Sequence, residues 1–252
     1  MLESFFGLRK ERDRREARVP AGKRVYAVGD IHGRTDLLKK IRDMIVADTE
    51  TRDPAENIVI FLGDYIDRGP DSRGVIEILA NDPLPGFRTI CLMGNHEDFM
   101  VRFLEDPRLG PPWLTFGGIA TLKSYGVTIE KIYSEVALNK ARDELMAKLP
   151  PSHWAFLQGL ETYHVEGDFL FVHAGIRPGI ATEEQEAQDM MWIRDDFLNS
   201  GIEHDHVVVH GHSINPRAEI LDNRIGIDTG AYATGKLTCL VLEDDRKNLI
   251  NT

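Results

Sequence analysis

Apolar positions along the chain fall into two rhythms. KRVYAVG (23–29) is β-branched and aromatic and ends in glycine, which predicts a strand. Residues 35–48 then place Leu37, Leu38, Ile41, Ile45 and Val46 at helical spacing. NIVIFLG (57–63) is a continuous apolar run, the pattern of a strand covered on both faces. Residues 71–80 return to helical spacing with Val75, Ile76 and Leu79, and FRTICLMG (87–94) predicts a third strand. This βαβαβ order predicts an α/β layered domain with parallel pairing.

From about 96 to 160 the pattern is mostly helical and contains no linker-like stretch. It reads as a helical insertion (about 97–160) within one domain. KARDELMAKLP ends at a proline pair, and Ser152 is the candidate N-cap of the next helix. YHVEGDFLFVHAG reads as two strands joined at Gly167–Asp168, and DHVVVHG as another. AEILDNRIGIDTG and GKLTCLVLED predict a terminal antiparallel set with a turn at Asp222–Asn223.

Composition narrows the class. The 252 residues, 42% hydrophobic and 28% charged, suit a soluble globular chain of one large or two small domains. Cys91 and Cys239 lie in apolar runs and read as reduced core thiols, as expected in the cytoplasm. No apolar run is long enough to span a membrane, and the N-terminus lacks the apolar core of a secretory signal. A net charge of −11 argues against general nucleic-acid binding, which rests on neutralising phosphates. The sign is uneven, however. Residues 1–24 hold eight Lys/Arg against four acids. Residues 1–22 therefore read as a basic arm, either a solvated tail or a tether. In the second case Leu2, Phe5, Phe6 and Leu8 would touch a partner or an anionic membrane. Residues 23–252 form the main domain.

Five segments carry the chemistry: VYAVGDIHG, VIFLGDYIDRG, ICLMGNHE, FLFVHAG and VVVHGHS. In each, an apolar strand-like run ends abruptly in Gly, Asp, His or Asn. Loops beyond the carboxyl ends of such strands form the binding crevice of open α/β sheets. They would bring Asp30, His32, Asp64, Asp67, Arg68, Asn95, His96, His173, His210 and His212 to one rim. Oxygen and imidazole donors without thiolate suit Mn²⁺, Fe²⁺ or Zn²⁺. So many donors exceed one tetrahedral zinc and fit a two-metal site. Singly, each segment has a plainer reading. Asp30 or Thr35 could cap the 35–48 helix, Asp67 and Arg68 could form a surface ion pair, and His173 could be a core histidine.

Taken in order, the GDIHG, GDYIDRG, GNHE, HAG and GHS segments resemble the phosphoprotein phosphatase branch of the calcineurin-like metallophosphoesterases. The likeness to small bacterial and bacteriophage Ser/Thr phosphatases extends to WLTFGGIATL (113–122), MWIRDD (191–196) and IDTGA (227–231), and covers about 23–242. It implies a β-sandwich flanked by helices, a four-layer α/β/β/α fold with metals at one edge. It also implies hydrolysis of phosphomonoesters by a hydroxide held between two divalent ions, Mn²⁺ foremost, with Fe or Zn as alternatives.

Position by position, the resemblance puts Asp30 and His32 on the first metal and Asp64 on both. Asn95 and His173 fall on the second with a histidine of HGHS, where the family's Gly-His-Ser/Thr order favours His212 over His210. It makes His96 the proton donor and Asp67 its orienting partner. Arg68 and Arg194 bind phosphate oxygens, the plainer reading of Arg194 being an ion pair with Asp195 or Asp196. The implied substrate is a phosphorylated Ser or Thr in a protein. The alternative is a dinucleoside polyphosphate such as diadenosine tetraphosphate, although those hydrolases tend to carry Ala at the position of Asp67 and GNHD in place of GNHE. A non-catalytic scaffold is the third possibility, and its mark would be lost ligands. Trp113, Phe116, Tyr125 and Trp154 of the insertion are expected at the cleft, selecting substrates.

Overall fold

Two faces of each strand are apolar for different reasons, and that sets the layers. The computed structural model describes residues 16–252. Strands β1 (Lys23–Val28), β2 (Glu56–Phe61) and β3 (Phe87–Cys91) pair in parallel. Helices α1 (Thr35–Glu50) and α2 (Ser72–Asn81) are their crossovers. Side chains alternate across a strand. Val25, Ala27, Ile58 and Ile60 therefore face the second sheet, while Tyr26, Val28, Val59 and Phe61 face the helices.

The helical region follows as α3 (Asn95–Glu105), α4 (Gly110–Trp113), a π-helical turn at Leu114–Gly118 and α5 (Ile119–Ser124). It closes with α6 (Glu135–Lys148) and α7 (Pro151–Gln158). The second sheet has the order β4-β5-β6-β8-β7. Its strands are β4 (Tyr163–Glu166), β5 (Phe169–Val172), β6 (Val207–His210), β7 (Glu219–Ile220) and β8 (Arg224–Gly226). Helices α8 (Ala187–Trp192) and α9 (Asp195–Leu198) cover its outer face, where Leu170, Val172 and Val208 meet Met190, Ile193 and Phe197. Helix α10 (Ala231–Thr234) precedes the closing hairpin β9 (Thr238–Glu243) and β10 (Arg246–Asn251). The layers are thus α/β/β/α. Parallel strands β1, β2, β3, β5 and β6 end at one edge.

Four local expectations change. The terminal strands do not form one antiparallel set: β7 and β8 belong to the second sheet, while β9 and β10 complete the first beside β1. Strand pairing is non-local, so hydrophobic pattern alone could not assign the sheet. Ser152 does not cap α7, which starts on Pro151 without a side-chain cap; the Ser152 hydroxyl instead accepts from Asn81. Neither Asp30 nor Thr35 caps α1, which begins after Arg34 without a side-chain cap. Asp30 accepts backbone N–H of His212, and Thr35 donates to Asp71.

The arm boundary also moves. Val19 is 2% exposed and packs in the core between the sheets. Its N–H donates to the carbonyl of Asp244, and the Asp168 N–H donates to that of Arg18. Residues 17–20 are therefore docked on the fold rather than part of an arm ending at 22. Leu2, Phe5, Phe6 and Leu8, the proposed tether, lie outside the described residues.

Val19→Ala removes buried methyl groups and leaves a void. The expected loss is about 2 kcal/mol, or about 4–8 °C in Tm. Arg18→Ala, which breaks half-exposed ion pairs to Asp244 and Asp245, should cost under about 1 kcal/mol. Differential scanning calorimetry of the two variants checks the ranking, and equal losses would place Val19 outside the core.

Candidate metal centre

The five loops at the strand edge carry an unusual backbone. Among the described residues, six non-glycine positions have positive φ, and five of them are His32, Asp64, Asp67, Arg68 and His212. L-residues adopt this region only where the surroundings impose it, and such strain gathers at functional sites. Close approach explains two glycines nearby: a Cβ on Gly211 would strike the Asp30 carboxylate, and one on Gly94 would strike Asp64.

Asp64 stands at the centre, 2% exposed. Its Oδ1 lies 3.5 Å from His173 Nε2, and its Oδ2 lies 3.5 Å from His32 Nε2 and 3.8 Å from His96 Nε2. Two donor groups result. One holds His32, Asp64 and His96, and the other holds Asp64, His173 and His212.

Backbone carbonyls fix the tautomers. His32 Nδ1 lies 2.7 Å from the Ile66 carbonyl and His173 Nδ1 2.8 Å from that of Leu62, so each Nδ1–H donates and each Nε2 keeps its lone pair. The Nε2 of His173 faces Asn95 Oδ1 at 3.0 Å and His212 Nδ1 at 3.2 Å. Electron pairs converging this closely repel unless a cation lies among them. Burial drives the His32 pKa down to about 3 and that of His212 to about 2, so both imidazoles are neutral, the form that binds metal. The buried His212 Nε2 has no partner among the described residues. The donor set therefore fits divalent ions held by nitrogen and oxygen. Asp30 and Asn95, both buried, flank the cluster.

His96 is held differently. Its Nδ1 lies 2.6 Å from Asp67 Oδ2, and burial, which lowers its pKa, is outweighed by Asp64 and Asp67, which raise it. Asp67 is itself locked: Trp113 Nε1–H donates to Oδ2 at 2.8 Å, and the Thr121 hydroxyl donates to Oδ1 at 2.5 Å. Arg68 turns inward, with one guanidinium nitrogen 2.9 Å from His32 Nε2 and another 3.0 Å from His96 Nε2. It lies over the Tyr232 ring at 5.0 Å. Arg68 thus makes no surface ion pair with Asp67.

Arg194, between α8 and α9, is exposed and lines a cleft with Trp192 and Arg177. Arg177 pairs with Asp189 at 2.7 Å, whereas Arg194 has no carboxylate partner among the described residues. The Asp195 or Asp196 pairing is absent. His210 faces away from the cluster, its ring against Phe197 at 5.2 Å and beside Gly226. Cys91 and Cys239 lie outside both donor groups, and burial pushes their thiols up, Cys91 to about 12.

Sequence reasoning missed Glu97. This fully buried carboxylate accepts N–H groups of Gly94, Asp64, Tyr65 and Ile66, and so clamps the GDY turn onto α3. Burial, with the Asp64 charge, pushes its pKa up to about 8, against the four donors that favour the carboxylate. Its signal was present as a capping-box acid three residues into a helix. Trp113 was expected at the cleft and is instead buried behind Asp67. Tyr125 likewise points inward, to His153. Tyr232 carried no signal in the sequence.

The model of the calcineurin-like phosphoesterase family matches residues 23–243. The chain belongs to that family. The symmetrical bis(5'-nucleosyl)-tetraphosphatase of Aromatoleum aromaticum is 25% identical over 163 residues. That match covers 65% of this chain and 48% of the relative, so the chain spans about half that relative's length. Serine/threonine-protein phosphatase 1 of Salmonella typhimurium is 30% identical over 226 residues, 85% of this chain and 89% of that one. The solved cold-active protein tyrosine phosphatase superposes with a TM-score of 0.60 at 18% identity, over 93% of this chain and 81% of that one. It shares the fold. No helix among the described residues is long and apolar enough to cross a membrane.

Removing His212 should empty a metal position and removing His210 should not. After Mn²⁺ loading and desalting, elemental analysis should find His212→Ala short of metal, with His210→Ala close to wild type. The reverse ranking would move the donor to His210. Glu97→Gln keeps the volume but turns an amide donor toward N–H groups. It should cost about 2–4 kcal/mol in urea unfolding, and a variant as stable as wild type would contradict the clamp.

Proposed function

We propose that this phosphoesterase hydrolyses a dinucleoside polyphosphate, with diadenosine tetraphosphate as the type substrate. The observation that carries the hydrolytic reading is the convergence of two His/Asp donor groups on Asp64. The substrate reading is supported by the relatives named for that activity. A second reading, the phosphorylated Ser or Thr suggested first by the sequence, is supported by a match spanning most of a protein phosphatase and by the presence of Asp67.

Asp30, His32 and Asp64 would hold one ion, and Asp64, Asn95, His173 and His212 the other. When bound, the ions supply charge neutralisation and a water of lowered pKa. The residues of the chain do the rest. Arg194 reaches phosphate oxygens from the cleft side, and Arg68, once it leaves the Nε2 atoms of His32 and His96, reaches them from the other. Planar two-pronged donors match such oxygens better than a point charge. His96 presents Nε2 to the departing oxygen and delivers a proton there. Asp67 favours the protonated ring, and Trp113 and Thr121 keep Asp67 from turning away.

The departing group separates the two readings. A nucleotide phosphate leaves readily, whereas a serine alkoxide is strongly basic and depends on the His96 proton. With Mn²⁺ added, kcat/KM for diadenosine tetraphosphate should exceed that for a phosphoserine peptide, and the opposite order would favour the phosphatase reading. Turnover of neither substrate at wild-type metal content would contradict both.

Arg194→Ala removes a contact to an oxygen that gains charge in the transition state. Its kcat/KM should fall by about 10²–10³ with metal content unchanged. Activity within two-fold of wild type would return Arg194 to the role of a surface residue.

A further inference from the structure

An aromatic step stands beside the carboxylate–imidazole cluster and has no part in holding metal or phosphate. Phe99 lies four residues after Asn95 and three after His96, so α3 presents all three on adjoining positions of one face. Phe99 stacks on Phe116 with centroids 6.1 Å apart and planes 18° from parallel. Trp192 meets the edge of Phe99 at 4.9 Å and lies 6.4 Å from the His212 ring. The three rings thus run outward from a candidate metal ligand to the surface.

At the outer end Phe116 is 55% exposed. It is not a loose loop tip. Next to it, Gly117 sits on Arg68, with its carbonyl accepting the Arg68 N–H and no room for a Cβ against the Arg68 side chain. Gly117 has φ 126°, which turns the chain there and fixes where the Phe116 ring emerges. Trp192 also lines the cleft of about 310 Å³ that contains the unpaired Arg194, within the size range of small-molecule sites. Phe116 is therefore tied to one phosphate-facing arginine, and Trp192 to the other.

We infer that the Phe116–Phe99 step is a nucleobase platform. The inference rests on the dinucleoside polyphosphate reading and names what lies beyond its phosphates. A ligand that fits must carry anionic oxygens toward the cluster and a flat, weakly polar ring a short distance away. Arg68 beside the Phe116 turn and Arg194 beside Trp192 set cationic groups along the row of rings, which matches a nucleotide in both respects. Stacking on an aromatic face tolerates any base, because every base has such a face. The platform accordingly gives affinity for the nucleoside end without strong preference among bases.

The test uses inhibition of p-nitrophenyl phosphate turnover by AMP and by ribose 5-phosphate, which differ only in the base. In the Mn²⁺-loaded wild type the inhibition constant for AMP should be lower by about ten-fold or more, the usual worth of one stacked base. Phe116→Ala should bring the ratio close to one, and Phe116→Trp should preserve it. Equal constants in the wild type, or an AMP advantage that survives Phe116→Ala, would overturn the platform. Failure of the substrate reading is distinguishable. The wild type would then leave diadenosine tetraphosphate intact, while the AMP advantage and its dependence on Phe116 would persist.

Discussion

One buried carboxylate surrounded by imidazoles is the constraint around which this molecule is arranged. Asp64 sits out of water with His32, His96 and His173 within 3.8 Å of its oxygens. A buried cluster of lone pairs is costly unless cations neutralise it. The surrounding structure holds it nonetheless. Glu97 clamps the turn that bears Asp64, and the carbonyls of Leu62 and Ile66 fix two ring orientations. The positive φ angles at His32, Asp64 and His212 show where backbone freedom is given up to aim these side chains.

The fold supplies that rigidity by placing strand ends from two sheets together. β1, β2 and β3 deliver Asp30, Asp64 and Asn95, and β5 and β6 deliver His173 and His212. Between the sheets, Val25, Ile58, Phe169 and Val209 form an apolar core that keeps the two groups of loops in register. The helical region then adds support from behind. Trp113 and Thr121 hold Asp67, which holds His96, so a segment far along the chain orients this imidazole.

Much of this was legible because the chain writes it locally. Apolar runs that stop at Gly-Asp or Gly-Asn announce both the strand and the loop that bears a polar side chain, and the alternation of runs announces the layers. What stayed hidden depends on contacts between distant segments. The closing hairpin joins β1 rather than β8, a choice made by non-local pairing. Glu97 reads as a helix-capping acid, and only the three-dimensional turn shows that it also binds three residues of another loop. Trp113 and Phe116 look alike in sequence, yet one is a buried hydrogen-bond donor and the other an exposed ring.

The carboxylate–imidazole cluster has donors for two divalent ions, one on either side of Asp64. Anomalous diffraction from crystals grown with Mn²⁺ tests directly whether both are filled. Two peaks are expected, both within bonding distance of Asp64, one toward Asp30 and His32 and the other toward Asn95, His173 and His212. A single peak, or peaks that leave Asp64 without a metal contact, would contradict the two-ion reading.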